Sequence, residues 1–87
     1  MISTEITSLA DTYRLMQSDD YKERFLAEYY QTVIRFDKLY QMLVKYENGT
    51  LEFKPTCPIK ILKEQKNIML KYIGILEERA KIEKIDL

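Results

Sequence analysis

Apolar side chains recur along the middle of the chain at steps of four and three: Phe25, Tyr29, Thr32, Phe36, Leu39, Leu43, Tyr46. That alternation is a heptad seam held for about three repeats, the signature of an α-helix packed lengthwise on another helix. Leu26, Val33 and Tyr40 flank the seam and widen it. Ser18–Asp19–Asp20 offers caps before it, and Asp20 with Glu23 three residues on forms a capping-box variant. The pattern predicts a helix over about 20–47, about 40 Å long at 1.5 Å per residue. A second long helix is predicted over about 58–84. It carries Ile61, Ile68, Ile75 and Ile82 seven apart, with Leu62, Met69 and Leu76 beside them and Tyr72, Ile73 and Ala80 at the edges. Ile6, Leu9, Ala10 and Tyr13 predict a short N-terminal helix, capped by Ser3 or Thr4 and ending near Met16–Gln17.

Asn48–Gly49 supplies the left-handed stop for the first long helix. Pro55 and Pro58 keep the two helices from merging, with Thr56 or Cys57 as cap and Pro58 in the first turn of the next helix, where a missing N–H costs nothing. Two helices of similar length joined by a short connection lie antiparallel. The expected pairing sets Leu43 near Leu62, Phe36 near Met69, Tyr29 near Leu76 and Phe25 near Ala80. The reading is all-α: one domain over 1–87, a short N-terminal helix within 1–17 and a long antiparallel helical hairpin over 18–87.

The apolar arcs are wider than a two-helix seam needs. Tyr30, Ile34 and Val44 fall outside it on the first long helix, and Ile59 and Ile73 lie at its edge on the second. Either the N-terminal helix covers this surplus, or it is an interface between copies; a homo-oligomer is the expectation. The seven tyrosines and three phenylalanines point the same way. A tyrosine buries ring area while its hydroxyl stays wet, which suits a contact surface.

Composition narrows the chemistry. Apolar residues make up 46% of the 87 and charged residues 32%, a profile of long helices and not of disorder. The lone Cys57 excludes an internal disulfide. With no histidine and one thiol, neither the commonest acid–base group nor the usual four-ligand zinc site is present. No glycine-rich phosphate loop occurs. The chain reads as a binding protein without cofactor or metal, not an enzyme. A formal net charge of zero argues against general attraction to nucleic acid or acidic membrane. The N-terminus lacks signal-peptide character, and no apolar run approaches the ~20 residues of a bilayer span, so a cytoplasmic, membrane-free location is expected. Asn48–Gly49–Thr50 fits a glycosylation pattern but reads as a helix stop.

Charge is nevertheless uneven. The loop half carries seven lysines, Lys60 and Lys63 among them, against Asp37, Glu47, Glu52 and Glu64. Lysines beside the free N–H groups at the start of the second long helix suit a phosphate or carboxylate. More pointed is the series Gln65, Tyr72 and Arg79, seven apart on the edge of that helix, with Glu28 and Arg35 on the matching edge of its mate. A Glu28–Arg79 salt bridge is the plain reading. In an oligomer the same edge, with Tyr30, becomes a pocket where tyrosine stacks on a base and arginine grips a phosphate.

The segments Arg24–Phe25–Leu26–Ala27–Glu28–Tyr29–Tyr30–Gln31 and Arg35–Phe36–Asp37–Lys38–Leu39 resemble a recurrent pattern in small phage and prophage proteins, of the kind labelled as related to crAss-like phage proteins. The resemblance continues through Gly49–Thr50–Leu51, Pro55–Thr56–Cys57–Pro58 and Leu76–Glu77–Glu78–Arg79–Ala80, and covers about residues 19–87. That family carries no assigned activity. A phage setting implies opposition to host immunity. In outline, oligomers of helical hairpins are similar to phage sponges that sequester cyclic nucleotide signals of the CBASS and Thoeris systems, although no sponge motif is matched here. The leading expectation is therefore an oligomer that sequesters a host nucleotide signal in the host bacterial cell. The alternatives are an inhibitor of a host defence protein complex, anti-CRISPR-like, and a structural or regulatory phage component.

Overall fold

The computed structural model describes residues 6–87 and is all-helical over them. A 3₁₀ turn, Leu9–Thr12, runs into a single turn of helix, α1 (Tyr13–Met16); two long helices follow, α2 (Tyr21–Glu47) and α3 (Ile59–Glu83). The expected N-terminal helix is thus shorter and partly 3₁₀, and the proposed Ser3 and Thr4 caps lie outside the described residues. The start of this segment is tied by Asp11. Its carboxylate accepts from the backbone N–H of Thr7 at 2.9 Å and of Ser8 at 3.0 Å. These hydrogen bonds hold the Asp11 carboxyl below the usual carboxylate range.

Helix α2 is capped by Asp20, which accepts from Lys22 N at 2.9 Å. The reciprocal arm of the expected capping box is replaced by a relay. Ser18 Oγ accepts from the Asp20 N–H and donates to Glu23, which therefore reaches Ser18 and not the backbone. The helix ends where the sequence places its stop. Gly49 adopts φ +73°, and Thr50 N donates back to Lys45 O at 2.9 Å. Pro58 serves as the residue before α3, in extended conformation. Its carbonyl accepts from Ile61 and Leu62, so neither Thr56 nor Cys57 is the cap.

α2 and α3 run antiparallel within a molecule 43 Å long. Two contacts tie the helices together: Glu47 with Lys63 at 2.6 Å near the loop, and Tyr29 Oη donating to Glu77 at 2.7 Å towards the other end. The second agrees with the pairing that aligns Tyr29 with Leu76, whereas the first joins Glu47 to a residue five positions beyond the one expected level with it. The N-terminal segment folds back on its own hairpin. Thr12, fully buried, donates to Leu9 O and accepts from Gln31 of α2 at 2.9 Å, which satisfies its hydroxyl. The core gathers at the end away from the loop, where Ile6, Phe25, Leu26, Tyr30, Leu76 and Ala80 pack with Ile85. Ile85 belongs to a tail that the helical period does not reveal. Lys84 takes a left-handed conformation (φ 58°), Ile85 N bonds to Ala80 O at 2.8 Å, and the Ile85 side chain turns into the core with Leu87 beside it.

The two rows of α3 have different fates. Leu76 is 1% exposed and Ile73 8%, whereas Ile61, Ile68, Ile75 and Ile82 are 49%, 65%, 58% and 74% exposed. The isoleucine row is turned about 130° from the buried face, so it meets solvent and not α2.

The Tyr29–Glu77 bond carries a pH expectation. Burial, then the hydrogen bond to Glu77, raises the Tyr29 phenol above its ordinary 10. The unfolded chain releases this proton at about pH 10 while the folded chain retains it. Stability is therefore complete below pH 10 and falls as pH rises through the folded value. Melting temperatures followed from pH 8 to 11 should decline above pH 10, and Tyr29→Phe should make the decline shallower; an identical slope in the variant would refute the assignment.

Candidate functional site

The Gln65–Tyr72–Arg79 edge exists as a line of exposed side chains on α3, spanning about 21 Å from first to last at 1.5 Å per residue. Arg79 makes two side-chain contacts. Its Cζ lies 4.9 Å from the centre of the Phe25 ring, and its Nε donates to Glu83 at 2.8 Å. The guanidinium thus lies over an aromatic face and is oriented by a carboxylate one turn on. Its two terminal amino groups make no hydrogen bond among the described residues. Glu28 contributes a field but no hydrogen bond, so the nearer Glu83 takes the role expected of Glu28. Hydrogen bonding to Glu83 raises the Arg79 pKa further, and the same bond lowers that of Glu83, which Tyr21 also contacts.

The other residues singled out from sequence are dispersed. Tyr72 is 39% exposed, two turns before Arg79. Arg35 is exposed on the α2 edge, two turns beyond Glu28. Tyr30 is buried, its ring edge-on to Tyr29 at 5.0 Å, and offers no open face. Lys63 is engaged by Glu47, whereas Lys60 is exposed in the first turn of α3. Of the surplus apolar positions, Ile73 and Tyr30 are buried within the chain and Ile34 packs on its core; Ile59 is half-buried and Val44 exposed.

Two depressions mark the opposite flank of α3, where Lys63 was the residue expected from sequence to meet a ligand. The larger, about 930 Å³ and open, is lined by Tyr29, Gly74, Glu77, Lys81, Lys84 and Leu87. It forms because the tail after Lys84 turns back, an irregular feature without a periodic signal. The smaller, about 430 Å³, lies near the loop between Tyr40, Val44, Lys63 and Lys66. The larger sets Glu77, Glu78 and Asp86 against Lys81 and Lys84, and the smaller sets Glu47 against Lys63 and Lys66. Among the described residues no group of acidic or sulfur ligands could hold a metal ion, and no helix is long and apolar enough to cross a membrane.

A family model described as Sequestin matches residues 19–82, which takes in α2, the connection and nearly all of α3. No curated protein and no solved structure matches.

Proposed function

The chain belongs to the Sequestin family, and from that premise we propose that it is a non-enzymatic phage counter-defence protein, binding a host nucleotide immune signal as an oligomer and withdrawing it from circulation. The family name implies ligand sequestration; the nucleotide, the phage setting and the oligomer are this proposal's own. The observation that carries the ligand class is Arg79. A guanidinium backed by the Phe25 ring and steered by Glu83 keeps its terminal N–H groups without a partner among the described residues, and they form a planar fork that matches phosphate oxygens. Two turns away, the half-exposed ring of Tyr72 offers a stacking surface for a base. Sequestration demands nothing more than affinity.

The test is thermal unfolding of the protein with a panel of cyclic di- and trinucleotides. A ligand present at about 100 times its Kd stabilises a one-site protein by about 2.7 kcal/mol. For a domain of this size that raises Tm by roughly 10–20 °C. At least one member of the panel should do this. A flat response to all of them would reject the nucleotide.

The second reading is inhibition of a host defence complex by direct contact. The exposed isoleucines of α3 favour it, because an apolar strip of that length is suited to a protein partner. Under that reading, capture from host lysate should return one protein stoichiometrically, and the nucleotide panel should have no effect.

A further inference from the structure

The outer face of α3 carries a second heptad seam. Ile61, Gln65, Ile68, Tyr72, Ile75, Arg79 and Ile82 follow one another at steps of four and three, the rule that also governs the inner face of α2. All seven are exposed, and they run about 32 Å along the helix. A third row, Glu64, Lys71 and Glu78, borders the seam on the side away from α2. Among the described residues, none of these three makes a salt bridge.

We infer that this face receives a second copy of the same chain, α3 packing on α3 antiparallel about a twofold axis that passes near residue 74. The charges choose both the occupant and its direction. In a parallel pair the bordering row of one copy would face the apolar Leu62, Met69 and Leu76 of the other, and each seam residue would meet its own equivalent, so Arg79 would stack on Arg79. Turning the second helix round separates them. In an antiparallel pair the bordering rows of the two copies face each other. An axis near residue 74 then sets Lys71 of one copy opposite Glu78 of the other, and symmetry repeats the contact. The same register lays Ile75 beside Tyr72 of the second copy and Ile68 beside the stem of its Arg79. The zero formal charge of the chain sets no net repulsion against association.

This assembly deepens the sequestration reading and rests on it only for the ligand. The two edges merge into one line with the order Arg79, Tyr72, Tyr72, Arg79, the outer and inner residues of each half coming from different copies. Such a site is twofold symmetric and places two cations about 15 Å apart along the helix, around two aromatic rings. It matches a compact ligand with two phosphates and two bases better than a mononucleotide.

The experiment is sedimentation velocity on the full chain without ligand. Wild type should sediment as a dimer and Ile75→Glu as a monomer with unchanged helical circular dichroism. Ile75 is more than half exposed, so the change should leave the fold intact; Ile68→Gln serves as a milder second variant. Lys71→Glu and Glu78→Lys should each weaken the dimer about tenfold, and the double variant K71E/E78K should restore it. A monomeric wild type, or a dimer indifferent to both isoleucine changes, would overturn the interface. Single charge variants that dimerise normally, or a double variant no better than the singles, would overturn the antiparallel register. Because no nucleotide is present, failure of the panel described above leaves this outcome readable, and failure here leaves the panel readable.

Discussion

Replacing Leu76 by alanine is expected to lower the unfolding free energy by about 2–5 kcal/mol, the range for removing a fully buried leucine side chain. Leu76 is 1% exposed and is packed where α2, the N-terminal segment and the C-terminal tail converge. The partners that would have to close the resulting void are Phe25, Tyr30 and Ile85. Each is constrained elsewhere. Phe25 lies under Arg79, Tyr30 stands edge-on to Tyr29, and Ile85 is fixed by its backbone bond to Ala80. Relaxation is therefore limited, and the loss should fall in the upper part of the range. A small domain has only about 5–15 kcal/mol in total, so urea unfolding should show a midpoint displaced well below that of wild type. The control is Ile82→Ala, which removes a residue 74% exposed; in the monomer it should change stability by less than about 0.5 kcal/mol. Equal effects at the two positions would contradict the packing described for α3.

The second large effect is expected at Arg79. Arg79→Ala should reduce affinity for the nucleotide that stabilises wild type by about 10- to 100-fold, equivalent to losing a charge-assisted hydrogen bond of about 1.5–3 kcal/mol. Arg79→Lys should recover only part of this, because an ammonium keeps the charge but lacks the planar fork. Glu83→Gln separates orientation from charge. It leaves Arg79 in place and frees its Nε–H from a carboxylate, so it should cost less than Arg79→Ala and more than nothing. Isothermal titration of the three variants, each checked for helicity, supplies the comparison. If Arg79→Ala binds as wild type does, the phosphate does not sit on this edge.

The long helices, their antiparallel arrangement and the glycine stop were legible in the chain because each rests on local chemistry. Heptad spacing defines the seam of α2, and Asn48–Gly49 permits the positive φ that ends it. Membership of the core in α3 was less legible. Ile61, Ile68, Ile75 and Ile82 have the same spacing as Leu62, Met69 and Leu76, and period alone does not say which row faces α2. The flanking residues do. The isoleucines adjoin Glu64, Lys71 and Glu78, whereas the leucine row adjoins Ile73 and Ala80. The tail was illegible because a lysine in left-handed conformation, which carries Ile85 into the core, has no sequence signal of the kind that a glycine gives. At the candidate site, the exposed Gln65, Tyr72 and Arg79 were readable from their spacing. The partner of Arg79 was not, since Glu28 and Glu83 are both within geometric reach in sequence and only the folded chain shows that the i,i+4 carboxylate takes the hydrogen bond.

The buried side chains are gathered at one end of a molecule 43 Å long, while the loop end is held by Leu43 and an exposed ion pair. Rigidity should therefore be graded along the hairpin, like a clothes-peg sprung at one end. Amide protons around Leu26 and Leu76 should exchange only when the whole chain opens, and those around Tyr46 and Leu62 through shallow fraying. Arg79 and Phe25 sit at the stiff end, so fraying of the helix turns beside the connection should leave them undisturbed.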